Sequence, residues 1–329
     1  SRRTYIRYPH HKVERGDQVM NHVNMQVNLG GLIMKNPVTV ASGTFGYGAE
    51  YNHYFDVSRL GAVTVKSLTL KPRAGNMPPR IVETPAGMLN AIGLQNVGLD
   101  VYLSEKLPFL RENNCTIIAP IYGYSPEDYA ELARRLEAEG GADAFEANLS
   151  CPNVHDARHA RGGALVAQSP EKVMEYTRAI KAATKLPVFI KLSPNVSDIA
   201  EPALAAQEGG ADAVSIINTL LGMDIDPETR TPRLGNIVGG LSGPAIRPVA
   251  IKMVWDASRA LDIPVLGMGG IASAEDAIQF LLAGARAVAV GCMSFRQPDC
   301  AMKVVDGMEA YCARHGIADI NDLVGALRI

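Results

Sequence analysis

Cys151 stands in the run Asn148-Leu149-Ser150-Cys151-Pro152-Asn153. A thiol can take a proton from carbon when its thiolate is accessible near the working pH. The asparagines on either side each offer a donor and an acceptor, the complement of a planar heterocycle with alternating C=O and N–H groups. A lone cysteine is more often an inert small hydrophobe; the amides and prolines around this one favour chemistry. Lys66 and Lys191 close two apolar runs, where an ammonium is costly unless it meets charge or a ligand. Glu146 is the internal candidate partner, because strand alternation puts it on the same face as Asn148. One acid pairs well with only one lysine, which leaves at least one for a ligand. Asn90 and the pair Asn218-Thr219 add further amides.

Glycines mark a second kind of site. Gly267-Met268-Gly269-Gly270 and Gly291-Cys292 each follow an apolar run, and a helix start at Ser273 follows the first. Backbone N–H groups and a helix N-terminus in that arrangement make a phosphate cradle. A third cluster, Gly239-Gly240-Leu241-Ser242-Gly243-Pro244, is placed to close over the same ligand. A phosphate beside an ammonium suits a flavin, whose reduction leaves negative charge at its N1–C2=O edge. No Asp/Glu/His set resembles a metal site, and no G-x-S-x-G is present.

These residues need a scaffold that brings distant strand ends together. Short, nearly continuous apolar runs recur at Val38–Ser42, Ala62–Lys66, Thr116–Ile121, Ala144–Leu149, Val188–Leu192, Ala213–Ile217, Val265–Met268 and Ala287–Val290. Such runs read as strands covered on both faces. Helix starts intervene: Ser125-Pro126-Glu127-Asp128, Ser169-Pro170-Glu171 and Ser273-Ala274-Glu275-Asp276 each offer a capping serine and first-turn acids. Gly141-Ala142-Asp143, Gly210-Ala211-Asp212 and Gly284-Ala285-Arg286 lead back into strands, an echo that fits either repeated βα units or shared turn chemistry. Eight strands alternating with helices predict an α/β fold, a single-domain (β/α)8 TIM barrel over 20–329. A doubly wound sheet is the alternative, but no Rossmann fingerprint opens the chain. The connections 152–168 and 220–240 are long and fall at the C-terminal face of the barrel, where active sites are built.

The bulk numbers agree. The 329 residues carry a formal net charge of -2 with both signs interspersed, which argues against a nucleic-acid partner. No stretch nears the roughly 20 apolar residues of a membrane span. Residues 1–19 are polar, rich in Arg and His, and without a secretory h-region; they read as an N-terminal extension, with Met20 a plausible start. Five cysteines without a C-x-x-C disfavour a disulfide framework and fit a cytoplasmic setting.

Asn-Leu-Ser-Cys-Pro-Asn at 148–153 resembles the catalytic motif of class 1 dihydroorotate dehydrogenases. Class 2 enzymes of that family carry a serine at the cysteine position and an N-terminal membrane helix. Ile217-Asn218-Thr219-Leu220-Leu221-Gly222-Met223 and Gly240-Leu241-Ser242-Gly243-Pro244-Ala245 resemble the class 1B catalytic subunit, as do Ala41-Ser42-Gly43, Val65-Lys66-Ser67, Lys191-Leu192-Ser193-Pro194-Asn195 and the glycine turns at 267–270. The resemblance implies an FMN-containing oxidoreductase of pyrimidine biosynthesis. Cys151 would take the C5 proton of dihydroorotate while hydride leaves C6 for the flavin. Lys66, Asn90, Ile92, Gly93, Leu94, Asn148, Asn153, Asn218 and Thr219 would hold the substrate. Ala41, Ser42, Gly43, Lys66, Ser67, Asn148, Lys191, Ile217, Gly243, Gly269, Gly270, Gly291 and Cys292 would hold FMN. His155 to Arg161 makes the link after Cys151 longer than is usual in the family, and Cys292 stands where a small hydroxyl residue is common.

The resemblance also implies a partner. Class 1B chains pass electrons to NAD⁺ through a subunit with FAD and a [2Fe-2S] cluster, in a heterotetramer of two catalytic and two electron-transfer chains around a homodimer core. A class 1A homodimer using fumarate is one alternative. A dihydropyrimidine dehydrogenase domain is another, although those proteins typically have histidine at the position of Asn153 and carry cysteine-rich ferredoxin segments. A barrel that binds a sugar phosphate without flavin is a third.

Overall fold

The computed structural model describes residues 23–150 and 166–329. Eight parallel strands lie at its centre: β1 Val38–Val40, β2 Val63–Thr64, β3 Ile117–Ile121, β4 Ala144–Asn148, β5 Val188–Lys191, β6 Ala213–Ile216, β7 Val265–Met268 and β8 Ala285–Val290. Each coincides with an expected apolar run, and all but one of their residues are buried. Several end earlier than expected, so that Ala41, Ser42, Lys66 and Ile217 sit in the loops just beyond their strands. The hydrogen-bonded order is β1-β8-β7-β6-β5-β4-β3-β2. Side chains and a loop bring β1 to β2: Thr39 Oγ1 donates to Ala62 O at 2.8 Å, the Thr39 and Thr64 hydroxyls are 2.9 Å apart, and Gly61 N donates to Val38 O at 2.9 Å. The result is a nearly closed (β/α)8 barrel.

The outer layer comprises α1 Leu107–Glu112, α2 Pro126–Ala138, α3 Pro170–Ala183, α4 Ala200–Glu208, α5 Arg247–Ala260, α6 Ala274–Leu282 and α7 Cys300–His315. Between β1 and β2 there is only a short 3₁₀ turn, Val57–Arg59. Ser125, Ser169 and Ser273 cap α2, α3 and α6 as their sequences require. Two of the three echoed helix-to-strand joints share a structural task. Asp143 Oδ2 accepts from Ile117 N and pairs with Arg111, while Asp212 Oδ2 accepts from Val188 N and pairs with Lys181. In these two joints the carboxylate ties its own strand to the first free N–H of the previous one; the third, Gly284-Ala285-Arg286, has an arginine there, which donates to Asn321 Oδ1.

The two ends of the barrel differ. At the N-terminal end a hairpin, Val27–Leu29 with Leu32–Met34, covers the strand entrances. Its turn needs glycine, because a Cβ on Gly30 would stand 2.2 Å from Asp212 O and φ there is +57°. At the C-terminal end, the connection expected as one long loop after β6 is folded. Leu220–Met223, Val238–Ser242, Gly87–Asn90 and Ile81–Thr84 form a four-stranded antiparallel sheet in that order. A small cluster of Leu89, Ala91 and Leu234 lies within this sheet region, apart from the main core.

Candidate active site

A cavity of about 280 Å³ lies between the C-terminal strand ends and that sheet. Its floor comes from residues just past the barrel strands: Ala41, Ser42 and Gly43 after β1, Lys66 and Ser67 after β2, Asn148 and Lys191 at the ends of β4 and β5, Ile217 to Thr219 after β6, Gly269 and Gly270 after β7, and Gly291 after β8. Asn90, Ile92, Gly93 and Leu94 form another wall. Cys151 and Asn153 lie outside the described residues, as does most of the connection 152–168. Gly243 and Cys292 do not line the cavity; Gly243 instead abuts Gly270, whose Cβ would stand 2.6 Å from Gly243 O.

A second cleft, about 680 Å³, is larger and lies at the opposite end of the barrel by Gly30, Trp255 and Arg286. Size does not decide between them. Barrels build chemistry where strand C-termini deliver side chains, and only the first cleft gathers the candidate residues.

A hydrogen-bonded chain crosses the cavity floor. The Ser42 and Ser67 hydroxyls are 2.9 Å apart, and Asn148 Nδ2 donates to Ser67 Oγ at 3.4 Å. Ser150 Oγ donates to Asn148 Oδ1 at 3.3 Å, and Asn218 Nδ2 donates to Ser150 Oγ at 2.8 Å and to Ser150 O at 3.2 Å. Asn195 braces the next turn, donating to Thr219 O and accepting from Leu221 N. Asn148 keeps one N–H and one lone pair for a ligand after these bonds.

The two lysines separate. Lys191 Nζ lies 3.3 Å from Glu146 Oε1, both side chains being almost wholly buried. Lys66 meets no acid among the described residues; burial, and secondarily the Arg80 guanidinium, hold its pKa below the usual lysine value. An anionic ligand here would relieve that cost. At the glycine turns, no backbone acceptor claims the N–H of Gly270 or Gly291 among the described residues. Just before α6, whose N-terminus was expected to complete the cradle, two amides are already taken. Asp276 Oδ2 accepts from Ala272 N and Ser273 N, and its Oδ1 pairs with Arg247. A buried carboxylate satisfies the Ala272 and Ser273 amides, so these two are not available to a ligand. Burial pushes the Cys292 thiol up, partly offset by a hydrogen bond with Ser242.

Comparison with known proteins matches residues 24–311 to the family model for dihydroorotate dehydrogenase. The chain belongs to the dihydroorotate dehydrogenase family. It is 54% identical over 303 residues to the dihydroorotate dehydrogenase B (NAD(+)) catalytic subunit of Trichlorobacter lovleyi, covering 92% of this chain and 98% of that one. The catalytic subunit so named in Pelobacter propionicus is 52% identical over 304 residues, with coverage of 92% and 98%. The solved structure of the Eimeria tenella enzyme in complex with ferulenol superposes with a TM-score of 0.77 at 24% identity, covering 94% of this chain and 90% of that one. That likeness establishes the shared barrel.

Several lining residues escaped the sequence reading: Thr44, Ile81, Met88, Gln95, Ile246, Ala289 and Phe295. Ile81 and Met88 come from the antiparallel sheet. Ile-Val-Glu-Thr at 81–84 has no apolar/polar alternation, so the sequence does not announce that strand.

Proposed function

We propose that this chain oxidises dihydroorotate to orotate in pyrimidine biosynthesis with NAD⁺ as the final acceptor, and that it does so as an FMN-binding catalytic subunit. The observation that carries this reading is the cavity itself. Among the described residues it sets glycine N–H groups without a backbone acceptor at one side, a Lys66 without an acid partner at another, and apolar Met88, Ile217 and Met268 between amides. Those parts suit, respectively, a phosphate, an anion and a planar ring. The relatives named for NAD(+) favour the two-subunit class over a fumarate-using one.

When bound, FMN supplies the hydride acceptor. Ala41, Ser42, Gly43, Ser67, Lys191, Ile217, Gly269, Gly270 and Gly291 would hold it, with Gly243 supporting the turn from behind. Cys151 removes the proton at C5 of the substrate. Lys66, the amides of Asn90, Asn148, Asn153 and Asn218, and the Thr219 hydroxyl orient the pyrimidine and its carboxylate. Residues 20–329 constitute one catalytic domain in this reading, in the cytoplasm, with residues 1–19 an extension. Electrons leave through a separate subunit carrying FAD and [2Fe-2S], in a heterotetramer built on a dimer of this chain.

A visible spectrum of the purified protein tests this directly. A flavin band that bleaches on anaerobic addition of dihydroorotate is expected. A colourless protein, or a flavin band indifferent to dihydroorotate, overturns the reading.

A further inference from the structure

Behind Lys191 stands a carboxylate that the proposed chemistry does not use. Glu146 precedes Asn148 by two positions on β4 and so shares its interior face. Asn148 is in register with Lys191, and Lys191 with Ser215, across β4, β5 and β6. The Glu146 side chain is 1% exposed and that of Lys191 6%. Glu146 Oε1 takes the lysine at 3.3 Å, whereas Glu146 Oε2 and Ser215 Oγ have no partner among the described residues. A sealed carboxylate with one oxygen unsatisfied is expensive. Fold stability does not explain it, because apolar replacements of a buried ion pair are often neutral or stabilising. Thr39 and Thr64, by contrast, satisfy one another between β1 and β2.

We propose that Glu146 is a positioning residue that holds Lys191 at the cavity floor and offsets its charge, so that a bound flavin faces a balanced pair rather than a bare ammonium. The inference rests on the reading that the chain binds FMN. A bare ammonium stabilises a reduced, negatively charged flavin more than the neutral oxidised one. The pair therefore restrains the affinity for reduced flavin and keeps its electrons transferable to the next acceptor.

The test compares the wild-type chain with Glu146→Gln, Lys191→Met and the double variant, each stripped of flavin and titrated with oxidised and with reduced FMN. Midpoint potentials are measured in parallel. Glu146→Gln keeps the side-chain size. It is expected to tighten reduced FMN relative to oxidised by about tenfold, an upward shift of about 30 mV for a two-electron couple. With Lys191 already replaced, the same substitution is expected to move the ratio by less than about twofold. An unmoved ratio in Glu146→Gln, or an equal movement with and without Lys191, overturns the proposal. If Glu146→Gln does not fold, Glu146→Asp, which retracts the carboxylate by one methylene, must shift the ratio in the same direction or the proposal fails. Failure of the wild-type chain to take up any FMN overturns the underlying reading as well; uptake with an unmoved potential overturns only the role of Glu146.

Discussion

Gly291→Ala separates what the ligand requires from what the fold requires. Gly291 lines the cavity, and a Cβ built there meets only the Ala41 Cβ at 3.6 Å, an ordinary contact. Its φ is not left-handed, so alanine adds no backbone strain. Restricting the unfolded chain should stabilise the variant by about 0.4–1 kcal/mol. The new methyl occupies the space beside an N–H that no backbone acceptor claims. Losing one charge-assisted hydrogen bond to a phosphate costs about 1.5–3 kcal/mol, which corresponds to roughly 10- to 150-fold weaker FMN binding. Gly270→Ala is the contrasting case. Its φ is +75°, and its Cβ would press on Gly243 O at 2.6 Å and Arg247 Cβ at 2.9 Å. Left-handed backbone costs about 1–2 kcal/mol and overpacking about 1–3 kcal/mol, so Gly270→Ala should lose stability as well as flavin. Flavin fluorescence titration and urea unfolding of both apoproteins give the two quantities. Wild-type FMN affinity in a stable Gly291→Ala chain would refute the cradle.

Three further outcomes are expected. Cys151→Ala should keep FMN and lose roughly 10²–10⁴ in the rate of flavin reduction by dihydroorotate, read by stopped flow; a wild-type rate would remove Cys151 as the base. Orotate affinity should fall as pH rises through the lowered pKa of Lys66, at a lower pH than an unburied lysine would give. In that window the unfolded chain holds the extra proton, so apoprotein stability rises with pH while anion binding takes a proton up; a flat affinity profile in the wild type, or a sloping one in Lys66→Met, would contradict this. The isolated chain should reduce artificial acceptors but not NAD⁺ until an electron-transfer partner is added, and robust NAD⁺ or fumarate turnover by the chain alone would defeat the two-subunit reading.

The barrel was legible because each strand is a short apolar run buried on both faces, and such runs leave little else for the chain to do. The capping serines at 125, 169 and 273 were legible because their bonds are local. What the sequence hid depends on pairing across long separations. Gly87–Asn90 joins Val238–Ser242 some 150 positions away, and neither segment is apolar enough to announce a strand. The occupied amides just before α6 were hidden for a related reason. Asp276 reads as a favourable first-turn acid, and only the structure shows its carboxylate folded back onto Ala272 and Ser273. The division between the two lysines turned on one distance: Glu146 reaches Lys191, and among the described residues Lys66 meets no acid.

The amides of the site therefore divide into those that hold and those that are held. Asn218 Nδ2 donates to both the hydroxyl and the carbonyl of Ser150, while its Oδ1 accepts from Thr219 N. Ser150 is the last described residue before Cys151, so this grip holds the backbone that leads to the proposed base. The same Ser150 hydroxyl passes its proton towards Asn148 Oδ1, and Asn148 donates on to Ser67. Polarised in one direction, each bond strengthens its neighbour. A change at any member is then felt both at the floor near Ser42 and at the approach to Cys151. On the proposed assignment this coupling would join the flavin-binding and substrate-binding residues before either ligand arrives, a prior ordering that lets binding energy be spent on the reacting geometry.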